Sequence, residues 1–217
     1  TVMGRFDPVA PDARSRLRGW LRQPGMAGIR MTFHKPKWAP WLDDGTLDWF
    51  WRDCEELGIP LMLLVPGRMD AVARVAQRHP DLTLIIDHMG RRSQLRDDAC
   101  FADLDEMLAL AVHRNVAIKT SSAACYTTQP YPYANLTPYL RRIFDSFGPH
   151  RCFWGSDVSR LPDSYKACVD HFLNELDFLR SEDKVLVMGR ALSKVLNWAE
   201  PTEEQMAHIS SSKETQE

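Results

Sequence analysis

An α/β fold with a parallel sheet, of the (β/α) barrel type, is predicted by three features of this 217-residue chain. Short apolar runs alternate with amphipathic segments six times, the order that produces a parallel sheet. The runs read as strands buried on both faces: Leu82-Thr83-Leu84-Ile85-Ile86 is almost wholly apolar and holds three β-branched residues. Two of them stop abruptly on chemically capable side chains, one at Asp87-His88-Met89-Gly90 and one at Gly155-Ser156-Asp157, and a barrel collects such strand ends at a single mouth. A doubly wound sheet satisfies the same alternation. It would usually carry a Gly-rich phosphate turn, and neither G-x-G-x-x-G nor a Walker sequence occurs.

The elements follow in order. Thr1-Val2-Met3-Gly4-Arg5-Phe6-Asp7-Pro8 reads as a strand and its exit turn, and Pro11-Asp12 opens a helix with Leu17, Trp20 and Leu21 on one side. Residues 28–33 form a second strand, followed by a loop rich in Trp and Pro (Pro36, Trp38, Pro40, Trp41). Asp44-Gly45-Thr46 starts a helix carrying Leu47, Phe50, Trp51, Cys54 and Leu57 on one face, and Gly58 closes it. Strand 59–65 and a short helix with Val72, Val75 and Ala76 lead into strand 82–86. Residues 101–112 are predicted as one amphipathic helix with the stripe Leu104, Leu108, Val112, and 115–120 as strand. A second long loop holds Tyr126, Tyr131 and Tyr133. Helix 136–147 is stopped by Gly148-Pro149, the strand ending at Asp157 follows, and two further helices are expected over 162–179 and 189–198.

One domain is therefore expected over residues 1–198, with 199–217 as a polar, flexible tail. A complete barrel takes about 250 residues and eight strands. The chain opens directly on a strand, without an initiator Met or a targeting leader, so the expectation is a TIM-like barrel with one or two strands missing or unrecognised.

Composition narrows the partners. A hydrophobic content of 44% and a charged content of 26% are ordinary for a globular protein, and the net charge of −2 gives no reason to expect nucleic acid or an acidic membrane surface. No apolar run approaches the roughly 18 residues that span a bilayer. Five scattered cysteines without C-x-x-C spacing read as reduced thiols, which points to the cytoplasm. A small molecule is the expected partner, and a homo-oligomer stays open.

Reading each strand to its end collects Arg30, Asp87, His88, Lys119 and Asp157. Singly, each has a plain structural explanation: a strand-end His is more often hydrogen-bonded than functional, and an Asp after Gly-Ser can cap the next turn. Together they place five ionisable groups at the ends of apolar strands, which is costly to bury without purpose. His and Asp suit two mechanisms: with a divalent metal they help generate hydroxide, and without one Asp157 takes a proton from water. A catalytic zinc site needs about three protein ligands. The seven histidines contain neither H-x-H nor H-E-x-x-H.

The motifs Gly4-Arg5-Phe6-Asp7-Pro8, Gly28-Ile29-Arg30, Ile86-Asp87-His88-Met89-Gly90-Arg91, Val116-Ala117-Ile118-Lys119, Tyr131-Pro132-Tyr133, Phe147-Gly148-Pro149-His150-Arg151 and Trp154-Gly155-Ser156-Asp157, in this order, carry a resemblance. The chain resembles the amidohydrolase-related family of the amidohydrolase superfamily, metal-dependent hydrolases of the TIM-barrel type. The resemblance implies His88 as a metal ligand or substrate-polarising residue, and Asp157 as general base and metal ligand. It implies a divalent metal, zinc first, with a metal-free mechanism open. It also implies an H-x-H strand that would precede Thr1, so that the TIM-like barrel lacks its first strand and the following helix in this chain. The chain departs from the family at Ser122, where glycine is usual, and at Val158-Ser159, where Trp-Pro is common. The leading expectation is hydrolysis of a small anionic carbonyl compound (a lactone, cyclic ester or amide), with Arg30, Lys119 and Tyr126 binding the substrate. The alternatives are a decarboxylase of the same superfamily acting on an aromatic or muconate-type acid, and an inactive fragment or partner-binding barrel.

Overall fold

Alternation along each strand sorts the apolar residues onto two faces. In the computed structural model, which describes residues 1–199 and Thr202, six strands run parallel in one sheet. They are β1 (Val2–Arg5), β2 (Met26–Thr32), β3 (Leu61–Leu64), β4 (Leu84–Ile86), β5 (Val116–Lys119) and β6 (Cys152–Phe153), and their spatial order is their chain order. A doubly wound sheet would reverse direction at a switch point. This sheet never does, which is the order of a (β/α) barrel. β1 and β6 form its edges, each paired to one neighbour among the described residues. All six predicted strands are present; β3 to β6 are shorter than predicted, and β2 begins two residues earlier, at Met26.

Ile29, Leu61, Leu84 and Val116 pair in register across β2 to β5 and, with Met31, Leu63, Ile86 and Ile118, meet the helices in the larger apolar core. On the other face Met62, Ile85, Ala117 and Phe153 form a second core, closed by Ala191 and Leu192 of the helical segment α9 (Ala191–Val195). On that inner face Asp87 and Lys119 stand at the ends of β4 and β5, as expected. Arg30 does not stand at a strand end: it pairs in register with Met62, two residues before β2 finishes. The five cysteines are free and buried. No helix among the described residues is long and apolar enough to cross a membrane.

The helices are α1 (Ala13–Leu17), α2 (Asp48–Glu56), α3 (Met69–Arg78), α4 (Asp97–Phe101), α5 (Leu104–Leu108), α6 (Thr137–Phe147), α7 (Tyr165–Asp170) and α8 (Ser181–Val185), followed by α9. Three predicted helices differ. Segment 101–112 is split into the end of α4, α5 and a tight turn over Ala109–Val112. Leu104, Met107 and Leu110 are its buried stripe, and Val112 is 79% exposed. Burial every third residue favours the tighter 3₁₀ winding over the four-residue stripe. Segment 162–179 is helical only to Glu175, through a wide turn over His171–Glu175. The last helical stretch begins earlier than predicted, at Ser181, where the Asp183 carboxylate accepts from the Arg180 backbone N–H at 3.2 Å. Of the expected tail, Ala199 and Thr202 are described and the rest lies outside the described residues.

His171 packs edge-on between Tyr133 and Phe172, with ring centroids at 5.2 and 5.4 Å, and its buried Nε2 has no hydrogen-bond partner among the described residues. Burial pushes its pKa from 6.5 down to about 4, against the pull of Glu175. The folded value lies below the unfolded one, so the associated stability is whole above pH 6.5 and is lost as pH falls to about 4. At about 1.4 kcal/mol per unit, the loss comes to about 3 kcal/mol. His171→Phe keeps a ring in the aromatic stack and is expected to flatten the urea-unfolding free energy across that window. A slope equal to wild type would assign the acid sensitivity to other groups.

Candidate active site

Ile86 pairs with Ile118, so Asp87 and Lys119, one residue further on, stand side by side at the ends of β4 and β5. Asp87 is fully buried and each of its oxygens takes one cation: Arg30 Nε donates to Oδ2 at 2.6 Å and Lys119 Nζ to Oδ1 at 3.2 Å. Burial opposes the charge on Asp87. The Lys119 ammonium and the Arg30 guanidinium outweigh it and hold the carboxyl below its usual range. This trio is the polar cap on the inner apolar core.

Immediately beyond it the backbone turns left-handed for three successive residues, His88 (φ 52), Met89 (φ 56) and Gly90 (φ 67). A left-handed residue other than Gly costs about 1–2 kcal/mol. The turn buries the Met89 side chain in the larger core and places His88 against the loops that follow β5 and β6. Gly90 suits its left-handed position, and a Cβ there would come within 2.8 Å of the flexible Met69 Cε.

His88 Nδ1 lies 2.7 Å from Ser121 Oγ and 3.1 Å from Ser122 Oγ. Ser122 Oγ donates to Asp157 Oδ2 at 2.7 Å, and His88 Nε2 lies 3.7 Å from the same oxygen. Burial, with Lys119 and Arg30, lowers the His88 pKa against the opposing charges of Asp87 and Asp157, which favours the neutral imidazole. Arg160 Nη1 stands 3.6 Å from Asp157 Oδ2.

These groups open on a cavity of about 500 Å³ whose lining includes Arg30, Arg68, Arg91, Arg92 and Arg160. Among the described residues, Asp157 is the one acidic residue in that lining. Arg30, Arg68 and Arg91 are paired with Asp87, Asp43 and Asp103. Arg92 has no ion pair among the described residues. Its guanidinium occupies the space left by Gly67, where a Cβ would fall 2.0 Å from Nη2.

Of the residues expected from sequence, Arg30, His88, Tyr126 and Asp157 line this cavity together. Lys119 is not in the lining and is turned onto Asp87. Tyr126 is buried, and the Arg160 guanidinium lies 5.7 Å from its ring centroid. Trp38 and Trp41 line a neighbouring cavity of about 250 Å³, which shares Arg30 with the first. Tyr131 and Tyr133 instead donate to Glu175 and Asp163. Sequence reasoning missed Ser121, Ser122, Arg92 and Arg160 as site residues. The available signals were a serine at a usual glycine position and an arginine three residues after the strand-end aspartate.

His88 and Asp157 could together offer a metal two donors. Among the described residues no group of three or more His, Cys, Asp and Glu side chains could hold a metal ion. A catalytic zinc needs about three protein ligands, so these residues do not by themselves form a zinc centre.

The sequence pattern of the Amidohydrolase family matches residues 3–197. An L-fucono-1,5-lactonase from Burkholderia ambifaria is 30% identical over 198 residues, covering 79% of this chain. The chain spans 63% of that relative's length. An amidohydrolase from Burkholderia multivorans, crystallised with bound zinc, superposes with a TM-score of 0.77 at 20% identity over 91% of this chain and 73% of its own. A 5-carboxyvanillate decarboxylase from Sphingomonas paucimobilis superposes at 0.63 with 17% identity, over 90% of this chain and 66% of its own. At these identities the two structures establish the shared TIM-barrel fold.

Proposed function

Because this chain belongs to the amidohydrolase family, we propose that it hydrolyses a small anionic lactone or related cyclic ester, with Asp157 as the base. The observation that carries this reading is the lining of the cavity: a single carboxylate–imidazole pair set among five arginines. The cations attract and hold a carboxylate-bearing substrate, and a low-dielectric wall strengthens that attraction. The lactonase relative supports a cyclic ester as the electrophile.

In this reading a water held by Asp157 Oδ2 and His88 Nε2 attacks the carbonyl carbon. The new C–O bond forms as the proton passes to Asp157. The negative charge that develops on the carbonyl oxygen faces the arginine side of the cavity. When the tetrahedral species collapses, the ring C–O bond breaks and Asp157 returns the proton to the departing alkoxide. Lactone and water become one hydroxy acid, with Asp157 regenerated. Arg30, whose position is fixed by Asp87, and Arg92, which has no carboxylate of its own, are the groups placed to bind the substrate carboxylate. Tyr126 walls the same space.

The test is a panel of carboxylated and neutral lactones, assayed by acid release alongside carbon dioxide measurement. Expected is hydrolysis of the carboxylated compounds with a lower KM than their neutral analogues and no carbon dioxide. Carbon dioxide release from an aromatic acid would instead establish the decarboxylase reading. Equal KM for charged and neutral lactones would remove the role given to the arginines.

A further inference from the structure

The three groups linked at the centre of the site share an unusual backbone state. His88 (φ 52), Ser122 (φ 60) and Asp157 (φ 52) lie in loops after three different strands, and each is a left-handed residue that is not glycine. Backbone strain retained in three loops that meet at one hydrogen-bonded cluster points to a use for the cluster. At Ser122 the backbone alone would be better served by glycine. What a glycine lacks there is the hydroxyl, which is buried and bridges His88 and Asp157.

The bridge has a direction. The hydroxyl holds one proton, and the carboxylate oxygen at 2.7 Å has none to offer, so the proton points to Asp157. Toward His88 Nδ1, at 3.1 Å, the Ser122 oxygen then presents only lone pairs. That contact is favourable when Nδ1 carries the ring hydrogen and repulsive when it does not. Ser121 Oγ, at 2.7 Å from the same nitrogen, can donate or accept and so adapts to either state.

We infer that the Ser122 hydroxyl is a positioning group that fixes His88 in its Nδ1–H tautomer, leaving the Nε2 lone pair to face the reacting water beside Asp157. A neutral imidazole has one ring hydrogen, so Nε2 is bare. Nε2 and Asp157 Oδ2, 3.7 Å apart, are then two acceptors that can share one water between its two hydrogens. The oxygen lone pair of that water is left free for the carbonyl carbon. His88 in this role orders the nucleophile and does not donate to the carbonyl. Ser122 does this through His88 and Asp157 and need not touch the substrate.

The inference rests on the hydrolytic reading for its kinetic arm only, because the tautomer can be read without substrate. The ring nitrogens of His88, assigned by comparison with His88→Gln, are recorded by long-range ¹H–¹⁵N NMR in wild type, Ser122→Gly and Ser122→Ala. Wild type is expected to show a protonated Nδ1 and a bare Nε2. Both variants are expected to lose that preference and to lower kcat roughly tenfold or more with little change in KM. Their stabilities should move apart: Ser122→Gly relieves the left-handed strain and raises Tm, whereas Ser122→Ala keeps the strain and does not. A purely structural serine would lower activity only in step with stability, and the glycine variant breaks that link. Retention of the wild-type nitrogen pattern in both variants, or wild-type kcat in both, overturns the inference. Absence of turnover by the wild type overturns the hydrolytic reading instead, and the nitrogen spectra alone then decide the tautomer.

Discussion

Asp157→Asn is expected to lower kcat by about 10²–10⁴-fold, the range associated with a positioned general base. The substitution is nearly isosteric. Asn tolerates the left-handed backbone that Asp157 adopts, and its carbonyl oxygen can still accept from Ser122. Arg160, at 3.6 Å, loses a charge partner at a partly exposed position, which is a small penalty. The amide, however, cannot take the water proton. A folded protein with a nearly unchanged Tm and a collapsed kcat is therefore the expected pair of results, read from lactone turnover and thermal melting of the same preparation. Turnover equal to wild type would end the role given to Asp157.

The largest effect on stability is expected from Asp87→Asn, at about 3 kcal/mol, because breaking one side of a buried ion pair strands the partner charges. The Asp87 side chain is fully buried, whereas Arg30 and Lys119 keep 25% and 23% of their side-chain surface exposed. That residual hydration places the figure at the lower end of the usual range. Linkage supplies a second signature. The Asp87 pKa is depressed on folding, so its contribution is complete above the unfolded carboxylate value of about 3.9 and is lost as pH falls through the folded value. Urea titrations of wild type and Asp87→Asn should converge under acid and separate at neutral pH. A gap that stays constant down to the acid limit would show that the asparagine acts through packing and not through charge. Activity should fall as well, since Arg30 would lose the carboxylate that aims it.

Much of the fold was legible before any coordinates because a strand buried on both faces must be a short apolar run, and such runs are visible residue by residue. The stretch at 82–86, the stop at Asp87 and the similar ending at Asp157 marked in this way two of the strand ends whose following residues, His88 and Asp157, line one cavity. Helix boundaries were harder to read. The stripe at Leu104, Met107 and Leu110 is no more apolar than Leu104, Leu108 and Val112, and only the surface they meet separates them.

What the sequence by itself determined is the order of the strands and the identity of the side chains at their ends, since both follow from local burial and chain order. The tertiary structure alone decided the pairing of those side chains. Lys119 faces Asp87 because β4 and β5 pair Ile86 with Ile118. Ser122 reaches both His88 and Asp157, 34 and 35 residues away, because three separate loops turn left-handed at the same place. Non-glycine residues leave no local trace of that conformation, since the strain is sustained by contacts across the sheet and not by the residues next to them in the chain.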